Sequence, residues 1–193
     1  MKTFDTAILK ANDAYIDATI FENKHTKIPK TLFFKIYVPF EAFEIDGETE
    51  ETGFRLDFIR MEIKSLRDLE NKTYEFPVNP EEGYIDGSMY LFNAHNPVDV
   101  TRRAFGKISH GAITATLTYM IVFEFEQTGY SNVNETELTV SVAFGDLLID
   151  TDILEPKKKN LEKAVTLLSS FCEVKDFETP RLEDDQIRFK MKV

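Results

Sequence analysis

The sequence predicts an α+β fold, in which a mostly antiparallel, strongly curved β-sheet or half-barrel of about seven to nine strands carries one amphipathic helix near the C-terminus and a final β-strand. Apolar and polar residues alternate in several segments, which indicates strands with one buried face. Short stretches separate these segments, which favours antiparallel neighbours. Between Leu161 and Cys172 the apolar spacing changes to three and four residues, as in a helix.

The clearest strand signal covers residues 112–126. Ile113, Leu117 and Ile121 belong to its apolar series, and mostly Thr and Glu alternate with them. At about 3.3 Å per residue this segment would extend roughly 50 Å. Because natural strands are usually much shorter, we expect it to bend or bulge.

Further strands are predicted on both sides of this segment, and those between about residues 30 and 150 form a meander. The predicted ranges are 14–21, 32–40, 54–64, 84–92, 98–108 and 138–144. Ser109-His110-Gly111 is typical of a hairpin turn. The last strand, about residues 186–193, has Arg188, Lys190 and Lys192 on its outer face, where their charges would discourage edge pairing.

The predicted helix covers about residues 161–172, with Leu161, Ala164 and Leu168 on its apolar stripe. Asn160 fits the N-cap position, which leaves the lysines at 157–159 outside the positive end of the helix. A shorter helical turn is expected at residues 65–70. No linker divides the chain, so residues 1–193 are expected to form a single domain.

Composition narrows the classes of function. The single cysteine, Cys172, excludes a disulfide framework and a multi-cysteine metal site, and it suits a reducing cytoplasm. The N-terminus lacks the apolar run of a secretory signal, and no uncharged apolar run reaches the roughly 20 residues of a membrane span. A net charge of −11 argues against nucleic acid as a partner. No cofactor and no metal site is predicted.

Acidic residues concentrate in two stretches. Between Ile108 and Pro156 there are eight acidic residues, Glu155 among them, and no Lys or Arg; residues 41–51 hold six more acids and no cation. Such stretches usually form a solvated face, but they could also bind a basic partner. The candidate partner-binding residues are Asp46, Glu48, Glu50, Glu51, Glu124, Glu126, Glu135 and Glu137.

A second candidate site contains His95, Asp99 and Arg103. If Val98 and Val100 face the core, strand periodicity places Asp99 and Arg103 together on the opposite face. A histidine, a carboxylate and a guanidinium close together could perform acid–base chemistry on an anion, although an ordinary strand connection explains the same residues. Cys172 lies on the apolar stripe at the C-terminal end of the predicted helix and reads as a small buried hydrophobic residue. A helix C-terminus followed by Glu173 disfavours a reactive thiolate there.

Common catalytic motifs, such as a nucleophile elbow or a phosphate-binding glycine loop, do not occur in the sequence. Binding is therefore favoured over catalysis. The leading hypothesis is a non-catalytic module that presents an acidic surface to a basic protein, as immunity proteins and antitoxins do against cationic toxins. The alternative is a small-ligand-binding β domain or a hydrolase with its pocket near His95 and Arg103. A third hypothesis is a subunit of a homo-oligomer, because some apolar residues lie on predicted outer faces: Phe33, Tyr37, Met120 and Val122.

Overall fold

The computed structural model describes residues 1–154 and 160–193. Glu155 and the lysines at 157–159 lie outside the described residues. The strands are β1 (Ala14–Asn23), β2 (Ile28–Pro39), β3 (Phe43–Ile45), β4 (Glu48–Glu50), β5 (Gly53–Ile59), β6 (Thr73–Glu75), β7 (Asp86–Leu91), β8 (Ala94–Ser109), β9 (Ala112–Ile121), β10 (Val133–Asp150), β11 (Arg181–Glu183) and β12 (Gln186–Lys190). The helix is α1 (Leu161–Ser169), and short 3-10 turns lie at Thr6–Ile8, Leu66–Leu69, Thr151–Ile153 and Val174–Asp176.

Ten of these strands form one large curved sheet. Its order is β1-β2-β5-β7-β8-β9-β10-β12-β11, and β6 pairs with β8 off this path. Strand β10 also pairs with β1, in parallel, so that the strand pairing returns to its starting point. The remaining two strands, β3 and β4, form a separate hairpin. The predicted antiparallel meander and its curvature are confirmed.

Alternation of apolar and polar residues explains which side of the sheet is buried. In β9 the side chains of Ile113, Ala115 and Leu117 are fully buried, whereas Thr114 is exposed and Thr116 half-buried between them. The inward residues of all the long strands join one contiguous apolar core. Burial of these side chains, at about 25 cal/mol per Å² of apolar surface, is the main force that holds the sheet curved around them.

The expected long strand at residues 112–126 is wrong in its C-terminal part, because β9 ends at Ile121. The last ladder contact is the hydrogen bond from Val122 N to Pro97 O (2.9 Å), and the chain then turns. The longest strands are its two neighbours, β10 with 18 residues and β8 with 16. The irregularities predicted for a long strand occur in them: pairing with β9 shifts within β8 after Val100 and Phe105, and within β10 after Val133.

The predicted hairpin turn between β8 and β9 is confirmed. His110 and Gly111 form a two-residue connection in which both have positive φ, 52° and 75°. This backbone matches the right-handed twist of the flanking strands, and glycine adopts it without steric cost.

The helix begins where the sequence predicts and ends three residues earlier. The Asn160 side chain accepts a hydrogen bond from Lys163 N at 3.1 Å, as expected of an N-cap. Ala164 and Leu168 are buried against the core, and the chain leaves the helix at Ser170. Within residues 1–154 and 160–193, no helix is long and apolar enough to cross a membrane.

Different segments close the two ends of the sheet. The end reached by the C-terminus of β10 carries α1 and the turns at Leu66–Leu69 and Val174–Asp176, which are tied together where Asp176 accepts a hydrogen bond from Leu66 N (2.8 Å). The end from which β10 starts is filled by Phe4, Phe123 and Tyr130, whose ring centroids lie 5.0 to 5.7 Å apart.

One close approach in the sheet requires a glycine. A Cβ atom at Gly87 in β7 would lie 2.1 Å from the carbonyl oxygen of Val98 and 3.1 Å from its carbonyl carbon. Both atoms belong to the backbone of β8, so they cannot move aside as a flexible side chain would. We predict that Gly87→Ala lowers the free energy of unfolding by about 2–3 kcal/mol. Urea denaturation measures this loss, and Ser88→Ala, one residue along the strand, should change stability by less than about 0.5 kcal/mol.

Candidate functional site

One end of the molecule brings together two of the predicted acidic segments. The β3–β4 hairpin carries Asp46, Glu48, Glu50 and, just after β4, Glu51. Buried Phe43 anchors the hairpin in the core, and the Glu50 carboxylate accepts a hydrogen bond from Phe92 N (3.1 Å) in the β7–β8 turn. Glu48 and Glu51 remain exposed.

Asp46 links this hairpin to the loop at residues 122–132. Its carboxylate pairs with Lys2 Nζ at 2.6 Å and accepts a hydrogen bond from the Tyr130 hydroxyl at 2.7 Å. Both contacts favour the ionised form, so they lower the pKa of Asp46. Burial, together with the hydrogen bond to Asp46, raises the pKa of Tyr130 to about 12. Lys2 is itself held between Gly129 and Ser131 by backbone hydrogen bonds of 2.8 Å.

The loop at residues 122–132 presents an aromatic side chain between two carboxylates. Phe125 is 70% exposed, and its neighbours Glu124 and Glu126 are exposed as well. The hydrogen bond from Glu124 N to the Asn132 side chain (3.0 Å) fixes the course of the loop. We call Asp46, Glu48, Glu50, Glu51, Glu124 and Glu126, with Phe125, the acidic end.

Glu135 and Glu137, the other two predicted partner-binding residues, lie apart from the acidic end on the outer face of β10. Glu135 accepts a hydrogen bond from the Thr101 hydroxyl (3.3 Å), and Glu137 accepts one from the Thr118 hydroxyl (3.4 Å). Arg102 Nη1 lies 3.9 Å from the Glu137 carboxylate, so its charge is partly compensated by a cation from β8. The sequence around Glu135 and Glu137 contains no Lys or Arg, but Arg102 of the neighbouring strand lies beside Glu137 in the structure.

The structure does not bring His95, Asp99 and Arg103 together. His95 lies on the outer surface against the ring of Tyr90, at 5.4 Å between centroids. The Asp99 carboxylate accepts a hydrogen bond from Asn79 N (3.1 Å) in the loop that follows β6. Arg103 is fully buried. It is also eight residues from His95 along the same strand, a separation of about 26 Å.

The expectation that Asp99 and Arg103 share a face is wrong because of a bulge in β8. Val100 pairs with Tyr119 and Arg102 pairs with the adjacent Thr118, so β8 has one residue more than β9 at this point. An extra residue reverses the side to which all later side chains point. Val98 and Val100 face the core as predicted, and Arg103 does so too.

Arg103 is surrounded by apolar side chains. Its Cζ atom lies 5.7 Å from the ring centroids of both Phe76 and Phe105, and its Nη1 is 3.9 Å from the sulfur of Met61. Nε and Nη2 have no hydrogen-bond partner. Among the described residues, no carboxylate forms an ion pair with it. Burial alone lowers the pKa of Arg103, to about 9.

The aromatic contacts offset only part of the cost of this burial. A cation near an aromatic face gains about 1–2 kcal/mol when desolvated. Each buried donor without a partner costs about 1–3 kcal/mol, and an uncompensated charge in an apolar interior costs more. Arg103 is therefore a destabilising element of the fold.

The apolar outer residues fall on two parts of the sheet. On β2, Phe33 is buried under Phe21, Phe58 and Arg60, with Arg60 5.3 Å from its ring, while Tyr37 packs between Tyr15 and Arg55. Met120 and Val122 are half-buried at the C-terminal end of β9. Neighbouring side chains thus cover Phe33, and the exposed aromatic rings on this side are Tyr15, Phe58 and Tyr90, the last of which shares Arg55 with Tyr37.

Cys172 is buried, as the sequence predicts. Burial first, and the nearby Asp176 second, raise the pKa of its thiol to about 12, so the reactive thiolate does not form at neutral pH. In the described part of the chain, no group of three or more His, Cys, Asp or Glu side chains is arranged to hold a metal ion.

Two features of these sites were missed from the sequence. The alternating pattern of residues 112–126 predicts that Phe125 is buried, but β9 ends at Ile121 and Phe125 is exposed. The turn-forming residues 127–134 are the sequence signal that the strand ends before Phe125. No local signal indicates the bulge that buries Arg103, because a bulge depends on the partner strand.

We predict that Arg103→Met raises the free energy of unfolding by about 1–3 kcal/mol, because methionine fills a similar volume without a charge that needs a partner. Urea denaturation in a chloride buffer measures the gain. Arg102→Met is the matched control: Arg102 is 46% exposed at the side chain, and its replacement should change stability by no more than about 0.5 kcal/mol. A loss of stability in Arg103→Met would contradict this account of the site.

We predict a pH-dependent effect of Asp46→Asn. Since the pKa of Asp46 is lowered in the folded state, ionised Asp46 stabilises the protein above the pKa of the unfolded chain, about 4, and this stabilisation is lost as the pH falls through the folded-state value. The wild type should thus be more stable than Asp46→Asn at pH 7, and the difference should vanish in acid. Glu48→Gln, an exposed change on the same hairpin, is the matched control and should change stability at pH 7 by no more than about 0.5 kcal/mol.

Comparison with known proteins identifies no relative of this chain. No family model, no curated protein and no solved structure matches the chain. A functional proposal for it therefore rests on its own side chains and their geometry.

Proposed function

We propose that this chain is a non-catalytic protein-binding module that recognises a basic partner through the acidic end, in the manner of an immunity protein or antitoxin. The observation that carries the proposal is Phe125, an aromatic side chain that is 70% exposed and flanked by Glu124 and Glu126. A single exposed aromatic residue surrounded by charge has the composition of a binding hot spot with its polar rim.

The charge of the molecule supports a basic partner. The net charge is −11, and the acidic end gathers part of this charge, as exposed carboxylates from two separate segments of the chain, on one surface. Such a surface accelerates the approach of a cationic protein and disfavours acidic ones. Because the charges are exposed, the attraction is screened at physiological salt beyond about 8 Å.

The way in which the acidic end is held also supports binding. The Tyr130–Asp46 hydrogen bond, the Lys2–Asp46 ion pair and the backbone bonds of Lys2 fix the loop and the hairpin relative to each other. A surface that is already ordered loses less conformational entropy when a partner binds. Loops on a rigid sheet are also the usual position of recognition residues.

Affinity capture with matched baits tests the proposal. The wild-type protein is immobilised and the proteins that it retains from lysate of its source cell are identified by mass spectrometry. The dissociation constant of each purified candidate is then measured at low and high salt. We expect a basic partner whose affinity falls as salt rises, and a loss of about 2 kcal/mol, roughly thirtyfold, for Phe125→Ala.

Charge reversal provides the control. The double substitution Glu124→Lys and Glu126→Lys should weaken binding mainly by slowing association. Glu178→Lys reverses a charge at an exposed position beside β12, where Glu178 N donates a hydrogen bond to Lys190 O (2.9 Å). Lys190 pairs with Asp146 in the C-terminal half of β10, away from the acidic end, so the affinity should not change. If the acidic-end variants and Glu178→Lys bind the partner equally well, or if the partner is acidic, the proposal is wrong.

A further inference from the structure

Arg103 has an unused binding capacity in the interior of the sheet. Of its three guanidinium nitrogens, Nη1 faces the Met61 sulfur at 3.9 Å, while Nε and Nη2 are buried without a partner. These two free nitrogens share one edge of the planar group. That edge is the one on which a carboxylate accepts two parallel hydrogen bonds.

We propose that Arg103 binds the carboxylate of a small apolar acid. The guanidinium supplies a bidentate contact to the carboxylate through Nε and Nη2, and the rings of Phe76 and Phe105, each 5.7 Å from Cζ, are the apolar groups beside the ligand. This inference is independent of the acidic end and would survive if no basic partner were found.

The charge of the ligand follows from the charge of the site. Among the described residues, no other charged group contacts Arg103, so one bound monoanion exactly neutralises the buried guanidinium. A dianion such as phosphate would leave an uncompensated negative charge in an apolar environment, which is unfavourable. A neutral compound would leave the guanidinium unpaired.

Phe76 lies next to both this site and a groove on the outer surface. It is half-buried, lies 5.7 Å from Arg103 Cζ and also lines an outer groove of about 380 Å³. Thr101, Arg102 and Thr118 line the same groove, together with Glu75, Glu135 and Glu137. Phe76 is thus the residue that contacts both the groove and the surroundings of the buried guanidinium. Carboxylates around the groove repel multiply charged anions more strongly than monoanions.

Three probes test the proposal on the intact chain at about pH 8, where inorganic phosphate is mainly a dianion: benzoate, its neutral analogue benzamide, and inorganic phosphate. Thermal unfolding is followed in a buffer without carboxylates, and binding is measured by calorimetry. We expect benzoate to raise the Tm saturably. Benzamide should bind at least about tenfold more weakly, because it lacks the charge-assisted pair of hydrogen bonds. Phosphate should have no effect.

Two arginine variants distinguish the buried site from the surface. Arg103→Met should lose the effect of benzoate, while Arg181→Met, which removes an exposed guanidinium on β11 outside the groove, should keep it. In the wild type, the NMR signal of the Arg103 Nε–H should also shift on titration with benzoate, which requires no variant to fold. If benzoate leaves the wild type unchanged, if Arg103→Met retains its effect, or if benzamide acts equally well, the proposal is overturned.

Discussion

The parallel ladder between β1 and β10 is the contact on which the rest of the architecture depends. It runs from Ala14 opposite Val142 to Ile20 opposite Ile149 and joins the first long strand to the last strand of the meander. Without it, both strands would expose an unpaired edge. Hydrogen bonding from Asp146 N to the Asp17 carboxylate (2.8 Å) reinforces the junction where the register shifts. Burial raises the pKa of Asp17, so this carboxylate reinforces the junction at some electrostatic cost.

Closure of the pairing gives the molecule an interior and two ends with different properties. One end carries the helix, whose apolar stripe packs against the core. The other is filled by the aromatic cluster of Phe4, Phe123 and Tyr130, and its loops are free to carry charge and an exposed Phe125. Tyr130 belongs to both parts, since its ring packs inward and its hydroxyl holds Asp46. The same residue therefore connects the packing of the core with the geometry of the proposed binding surface.

Packing alone does not explain the presence of Arg103 in the interior. A β-sheet of this kind is stable with apolar inward residues, and nearly all those of this chain are apolar. Arg103 departs from that rule, lies beside a bulge, and lacks partners for two of its three guanidinium nitrogens. Local departures of this kind, which cost stability without a compensating contact, are typical of functional sites.

The sequence by itself determined the positions of the eight longer strands, the start of the helix with its Asn160 cap, the β8–β9 turn and the overall acidity, because each depends on neighbours within a few residues. Tertiary structure decided the closure by β1 and β10, the end of β9 at Ile121, the meeting of the hairpin with the Phe125 loop, and the burial of Arg103. Each of these depends on which residue of a distant strand lies opposite, and one extra residue in β8 is enough to move a guanidinium from solvent to the core. Periodicity within a segment contains no information about that pairing.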